Sequence, residues 1–288
     1  MKRNTVITIS RQKAEGSKIA MLTAYDFSTA KLMDEAGVEI LLVGDSLGNT
    51  LLGYKDTLPV TMEDMIRASA AVARGAENAF VVTDMPFMSY QASVESAVVN
   101  AGRLVKEGGA EAVKLEGGVP FARHIRAISD ASIPVMAHIG LTPQSVNAFG
   151  GFLVQGKDEK TGRKIIDDAI AVEQAGAFAV VLECVPSELA RVITDMLSIP
   201  TIGIGAGPGT DGQVLVYHDM LGLYGRKSPK FSKRFAEVGA LMKRGVFDYI
   251  AATKTGSFPG SEHEFSINEE LMAALRRYAE PKGEHPAE

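Results

Sequence analysis

Residues 79–86, AFVVTDMP, run four apolar residues in a row and then end in a threonine and an aspartate, Asp84. Residues 39–46, EILLVGDS, repeat the arrangement, with Asp45 and Ser46 at the far end. An apolar run without alternation reads as a strand buried on both faces, as in a parallel sheet. Working outward, the same kind of run recurs at KIAMLTA (18–24), AEAVKLEGG (110–118), IPVMAHIGL (133–141), AFAVVLECV (177–185) and IPTIGIGAG (199–207). A weaker eighth run is QVLVYHDML (213–221).

Amphipathic, helix-like segments lie between the runs: 27–37, 61–76, 93–109, 121–132, 163–176 and 187–198. The strings AGVEILLVG, GAENAFVVT, GGAEAVKLE and AGAFAVVLE each place a small residue or glycine before a strand. Glycine there supplies a left-handed helix stop. Eight strands alternating with helices predict an α/β fold, a (β/α)8 TIM barrel, with a doubly wound open sheet as the other possibility. No Pro/Gly/Ser-rich linker divides the chain, so residues 1–288 are expected to form one domain. A helix is expected within KFSKRFAEVGALMKRGVFDYIAAT (230–253), then a tail from about 255 with a short helix in INEELMAALRRYA (267–279). That last helix covers a barrel end or a neighbouring subunit, or else is simply solvated.

The 288 residues are 46% hydrophobic, enough for a sizeable core, and 23% charged, with a net charge of −5. The acidic balance and the lack of a long basic run give nucleic-acid binding little support. Cys184 is the only cysteine, which excludes an intrachain disulfide and suits a reducing compartment. The N-terminal segment MKRNTVITISRQKAEG lacks the apolar stretch of a signal peptide, and no stretch approaches the ~20 apolar residues of a membrane span. A cytoplasmic protein is expected.

Barrel active sites form at the C-terminal ends of the strands. Four acids stand there: Asp45, Asp84, Glu116 and Glu183. Taken alone, Asp45 or Asp84 reads as well as a cap for the next helix. Four together point elsewhere, because an uncompensated buried carboxylate is very costly. Lys114 is one possible counter-charge; it shares side-chain parity with Glu116, so both can point into the barrel. A divalent cation is the other. Oxygen ligands suit a hard ion, Mg2+ or Mn2+ in its place, whereas Zn2+ lacks paired histidines and has a lone cysteine. His138 reads equally as a structural or a substrate-contacting histidine. Cys184, next to Glu183, is expected to face away from it and to pack. Gly207, Gly209 and Gly212 match the dinucleotide pattern only by spacing, with no suitable helix and acidic follower. Backbone making room for substrate at the barrel mouth is the better reading.

Six strings taken in order, 21–65, VVTDMPFMSY (81–90), AVKLEGG (112–118), 134–156, VLECVP (181–186) and 201–223, resemble the ketopantoate hydroxymethyltransferase family. The resemblance runs from about residue 4 to about residue 265. It implies a barrel of the phosphoenolpyruvate-binding kind, assembled as a homodecamer of two stacked pentameric rings. It implies transfer of a hydroxymethyl group from 5,10-methylenetetrahydrofolate to 3-methyl-2-oxobutanoate, giving 2-dehydropantoate for pantothenate synthesis through a Mg2+-stabilised enolate. Position by position, it implies Asp45 and Asp84 as Mg2+ ligands that also meet the substrate, and Glu116 as a third metal-associated acid reached through water. Ser46 and Lys114 then contact the 2-oxo acid, His138 lines its site, and Glu183 is the catalytic base. The nearest other enzyme class is a Mg2+-dependent 2-oxo acid lyase or mutase of the isocitrate lyase type, although its KKCGH-like motif is absent. A non-catalytic barrel is the remaining alternative.

Overall fold

Eight parallel strands close into a barrel, each hydrogen-bonded to its neighbours in chain order, with β8 returning to β1. The computed structural model describes residues 3–151, 154–223 and 229–279. The strands are β1 (Ile19–Thr23), β2 (Ile40–Val43), β3 (Phe80–Asp84), β4 (Ala112–Glu116), β5 (Val135–Gly140), β6 (Ala179–Glu183), β7 (Thr201–Ile204) and β8 (Gly212–Leu215). The closed order rules out the open sheet. The weak eighth run is a strand only in its first three residues; Tyr217–Met220 is a short helical turn.

The helices are α1 (Val6–Ala14), α2 (Phe27–Glu35), α3 (Met62–Gly75), α4 (Val94–Lys106), α5 (Ala122–Asp130), α6 (Glu159–Gln174) and α7 (Ser187–Met196). Helices α2 to α7 match the six amphipathic segments. Helix α1 is not legible in the sequence, because VITISRQKA opens on four β-branched residues, continues in polar ones and shows only a weak helical stripe. It is started by Thr5, whose side chain accepts from Thr8 N. Reciprocal capping boxes start α3 at Thr61, α4 at Ser93 and α6 at Asp158, satisfying N–H groups that the first turn leaves unpaired. Gly37, Gly109 and Gly176 have φ of 90°, 68° and 99°, the left-handed stop expected before a strand. Gly75 differs: a Cβ there would lie 2.6 Å from Phe27 O, so this glycine lets α2 and α3 approach closely.

Two apolar layers follow from strand alternation. Outward residues such as Leu41, Val81, Val113, Leu115, Ala137 and Leu182 pack against the helices. Inward residues, among them Met21, Ile40, Phe80, Val82, Ala112, Met136 and Val181, fill the barrel. Ile9 of α1 is fully buried among the inward set, and Val6 packs against it. The N-terminal helix therefore closes the end of the barrel at which the strands begin.

Asp34 is a buried acid that serves the fold. It lies near the C-terminal end of α2 and is 4% exposed. Its carboxylate accepts from Asn78 N and Asn78 Nδ2, both at 2.9 Å, and from Ala79 N at 2.6 Å. Burial opposes ionisation, but these hydrogen bonds outweigh it and hold the carboxyl below its ordinary value. Asp34→Ala leaves the two N–H groups and the Asn78 amide without this partner, and should cost about 3 kcal/mol of stability at pH 7 by urea unfolding. The folded value is depressed, so the carboxylate's stabilisation is full above the unfolded value of about 3.9 and is lost as pH falls through the folded value. A wild-type minus Asp34→Ala difference that stayed constant down to pH 2 would contradict this account.

By packing, the chain parts into two compact units, Met1–Glu237 and Val238–Glu288. The first contains the barrel. The second contains α8 (Val238–Thr255) and α9 (Glu269–Ala279), neither with a buried residue. The division falls earlier than the tail boundary expected near residue 255, and α8 starts later than the expected segment. Among the described residues, no helix is long and apolar enough to cross a membrane.

Candidate active site

The inward parity that fills the barrel with apolar groups continues upward into charge. Phe80 and Val82 on β3 are followed by Asp84, Ala112 on β4 by Lys114 and Glu116, and Met136 on β5 by His138. On β6, Ala179 and Val181 are followed by Glu183. Register sets Asp84 opposite Lys114 and Glu116 opposite His138, so each acid meets a nitrogen-bearing neighbour across the strands. Asp45 and Ser46 lie just beyond the end of β2. All seven residues line one cavity of about 630 Å³ at the strand ends, walled by Leu42, Val181, Ile204 and Val214.

Asp84 ties the near side together. Its Oδ1 lies 3.0 Å from Lys114 Nζ as an ion pair, although the approach is not aligned as a hydrogen bond. Its Oδ2 accepts from Asp45 N at 3.0 Å. Lys114 Nζ is also 3.3 Å from His138 Nδ1, which in turn is 3.3 Å from Glu116 Oε1. On the other side of the ring, His138 Nε2 is 3.2 Å from Glu183 Oε2. The imidazole thus stands between Glu183 and the rest of the cluster. Ser46 Oγ shares a 2.8 Å hydrogen bond with the buried Tyr25 hydroxyl.

Burial pulls the Lys114 ammonium down, but Asp84, Glu116 and Asp45 outweigh it and hold the value above normal. Burial and Lys114 likewise oppose a charge on His138, yet the carboxylates of Glu116 and Glu183 beside its two ring nitrogens raise it to about 9. Glu116 is lowered despite burial, chiefly by His138. Asp84 is raised by burial, which Lys114 does not fully offset. Asp45 is pushed up to about 8, first by burial and then by the charges of Asp84 and Glu116. Four carboxylates surround one lysine and one histidine, so the cluster is short of positive charge, and burial with the crowding of like charges falls hardest on Asp45.

That shortfall fits a hard cation. Among the described residues, no three or more His, Cys, Asp or Glu side chains form a ready cage. Mg2+ does not require one: it is commonly held by one or two carboxylates, with water and substrate oxygens completing six positions. Asp45 and Asp84 supply that kind of donor pair.

Cys184 is buried, as expected of a packing residue, but its place relative to Glu183 differs from the expectation. Its φ is +50°, so the strand alternation has ended, and the residue lines the cavity beside Glu183 rather than facing away. Burial, then Glu183, pushes the thiol up to about 11, which leaves almost no thiolate at neutral pH. The Gly-rich stretch is also corrected. Added Cβ atoms at Gly207, Gly209 and Gly205 would meet Ser187, Arg191 and the Phe231 ring at 2.4, 3.0 and 3.0 Å. The glycines make room for the protein's own side chains. Tyr25, Tyr90 and Gln144 were not anticipated; they lie on segments past the strand ends, where no period marks a residue as inward.

A sequence profile of the ketopantoate hydroxymethyltransferase family matches residues 3–261. A 3-methyl-2-oxobutanoate hydroxymethyltransferase from Clostridium novyi (strain NT) is 63% identical, over 95% of this chain and 99% of that protein. One from Enterococcus faecalis (strain ATCC 700802 / V583) is 60% identical over the same shares. Among solved structures, a phosphonopyruvate hydrolase in complex with oxalate and Mg++ superposes with a TM-score of 0.60 at 14% identity, covering 97% of this chain and 98% of that one. A 2,3-dimethylmalate lyase of the PEP mutase/isocitrate lyase superfamily gives 0.57 at 16% identity, covering 95% and 98%. At such identities the structures speak to the fold alone, a closed parallel eight-stranded barrel. The profile and the relatives speak to descent: the chain belongs to the ketopantoate hydroxymethyltransferase family.

Proposed function

We propose that this protein transfers a hydroxymethyl group from 5,10-methylenetetrahydrofolate to 3-methyl-2-oxobutanoate. With one water consumed, the products are 2-dehydropantoate, a precursor for pantothenate synthesis, and tetrahydrofolate. Family membership supports the reading. The observation that carries the mechanism is the separation of roles in one cavity: Glu183 on one side of His138, and Asp45, Asp84, Lys114 and Glu116 on the other.

Asp45 and Asp84 would hold Mg2+, with Glu116 reaching it through water. When bound, the ion supplies Lewis acidity toward the ketone oxygen of the 2-oxo acid. Lys114 presents its ammonium to the substrate carboxylate, and Ser46, oriented by Tyr25, offers a hydroxyl to the same substrate. Glu183 takes the proton from the branched carbon beside the ketone, and His138 holds that carboxylate in place. Water frees the one-carbon unit from the folate at the formaldehyde level, leaving tetrahydrofolate; the carbon attacks that unit, and the alkoxide formed takes up a proton to complete the hydroxymethyl group. The low-dielectric walls strengthen each of these charge contacts. A cytoplasmic homodecamer belongs to the same proposal, and a mass measurement in solution tests the assembly.

The deciding assay supplies 3-methyl-2-oxobutanoate and a series of divalent ions, with and without the folate donor. Folate-dependent 2-dehydropantoate is the expected result. Cleavage of a carbon–carbon bond in another 2-oxo acid would instead establish a lyase, and no reaction of either kind would leave a non-catalytic barrel.

A further inference from the structure

Gln144 lies in the loop just after β5 and is 6% exposed. Every polar atom of its side chain is engaged. Nε2 donates to Asp45 Oδ2 and to Met85 O, both at 2.9 Å. Oε1 accepts from Tyr90 OH and from Gln91 Nε2, both at 2.9 Å. The backbone N–H of Gln144 donates to Glu116 Oε2 at 2.9 Å. Tyr90 OH also reaches Glu116 O at 3.0 Å and accepts from Glu116 N at 3.1 Å. Met85 O can only accept, so the end of the amide that faces it is the Nε2 end, and Oε1 faces Tyr90 and Gln91. Nε2 must then face Asp45.

We propose that Gln144 is a positioning residue for ion binding. It holds one oxygen of Asp45 through its side chain and one oxygen of Glu116 through its backbone. Carboxylates from two different strands are thereby kept in fixed orientation before any ion arrives. Two neighbouring carboxylates repel and, unheld, would turn apart; ordering them in advance removes that cost from the binding step. The inference rests on the reading of Asp45 as an ion ligand.

The test uses full-length protein without substrate and titrates Mg2+ by calorimetry, with thermal unfolding recorded alongside. Gln144→Met keeps the length of the side chain and removes the amide; Mg2+ affinity should fall about 10–100-fold. Gln91→Leu, at the half-buried edge of the network, removes one donor to Oε1; affinity should fall about threefold. Asp45→Ala run in parallel separates the two readings. Wild-type Mg2+ affinity in Asp45→Ala would remove the ligand role and this proposal with it. Lost binding in Asp45→Ala together with wild-type affinity in both glutamine variants would overturn the Gln144 role alone, whatever the unfolding temperatures show. Should Gln144→Met not fold, the Gln91→Leu titration decides by itself.

Discussion

Glu183→Gln should slow deuterium exchange at the branched carbon of 3-methyl-2-oxobutanoate by about 10²–10⁴-fold, the usual worth of a positioned general base. The replacement keeps the size of the side chain and its place 3.2 Å from His138 Nε2, but it cannot take a proton. Binding of the 2-oxo acid and of Mg2+ should stay within about twofold, because the loss falls on a step and not on the ground state. Proton NMR in deuterated buffer, without the folate donor, reads this step in isolation. Exchange at the wild-type rate would move the base elsewhere, and the half-buried position of Glu183 would then need another explanation.

Asp84→Ala is expected to have the second large effect, in two separable parts. Mg2+ affinity should fall by more than about 100-fold, since changes one shell further out already cost about 10–100-fold. Stability should also fall, by about 3 kcal/mol, because Lys114 remains buried after losing the carboxylate 3.0 Å away. The double variant Asp84→Ala/Lys114→Met removes both charges. It should regain most of the stability while recovering no ion binding. If ion affinity returned together with stability, Asp84 would be a partner of the lysine and not a ligand.

Much of the fold was legible because buried parallel strands and amphipathic helices leave different periods in a sequence. AFVVTDMP and AVKLEGG show where β3 and β4 lie and also which of their residues face inward, so Asp84, Lys114 and Glu116 could be grouped before any coordinates. The limits are equally physical. Helix α1 is a short piece with a narrow apolar face, fixed by Ile9 entering the barrel, a contact its own sequence does not reveal. Cys184 was assigned the wrong direction because alternation holds only while the backbone is extended, and its φ of +50° breaks it. Gln144 sits in a loop whose residues have no periodic constraint, so nothing in TPQS marks its amide as the partner of Asp45. The glycines of 203–212 record close approach, but a glycine does not say whether a ligand or a neighbouring side chain fills the space.

The two-residue alternation along each strand behaves as a spatial reading frame. Deleting or inserting one residue within β4 would bring Leu115 to the cavity floor and turn Lys114 and Glu116 toward the helices, into an apolar layer with no partner for either charge. Both the chemistry and the packing would fail at once. Substitution can therefore vary the wall of this barrel, but changes of length are confined to its loops. Loop length is left as the main freedom for reshaping the mouth while the acids below keep their places.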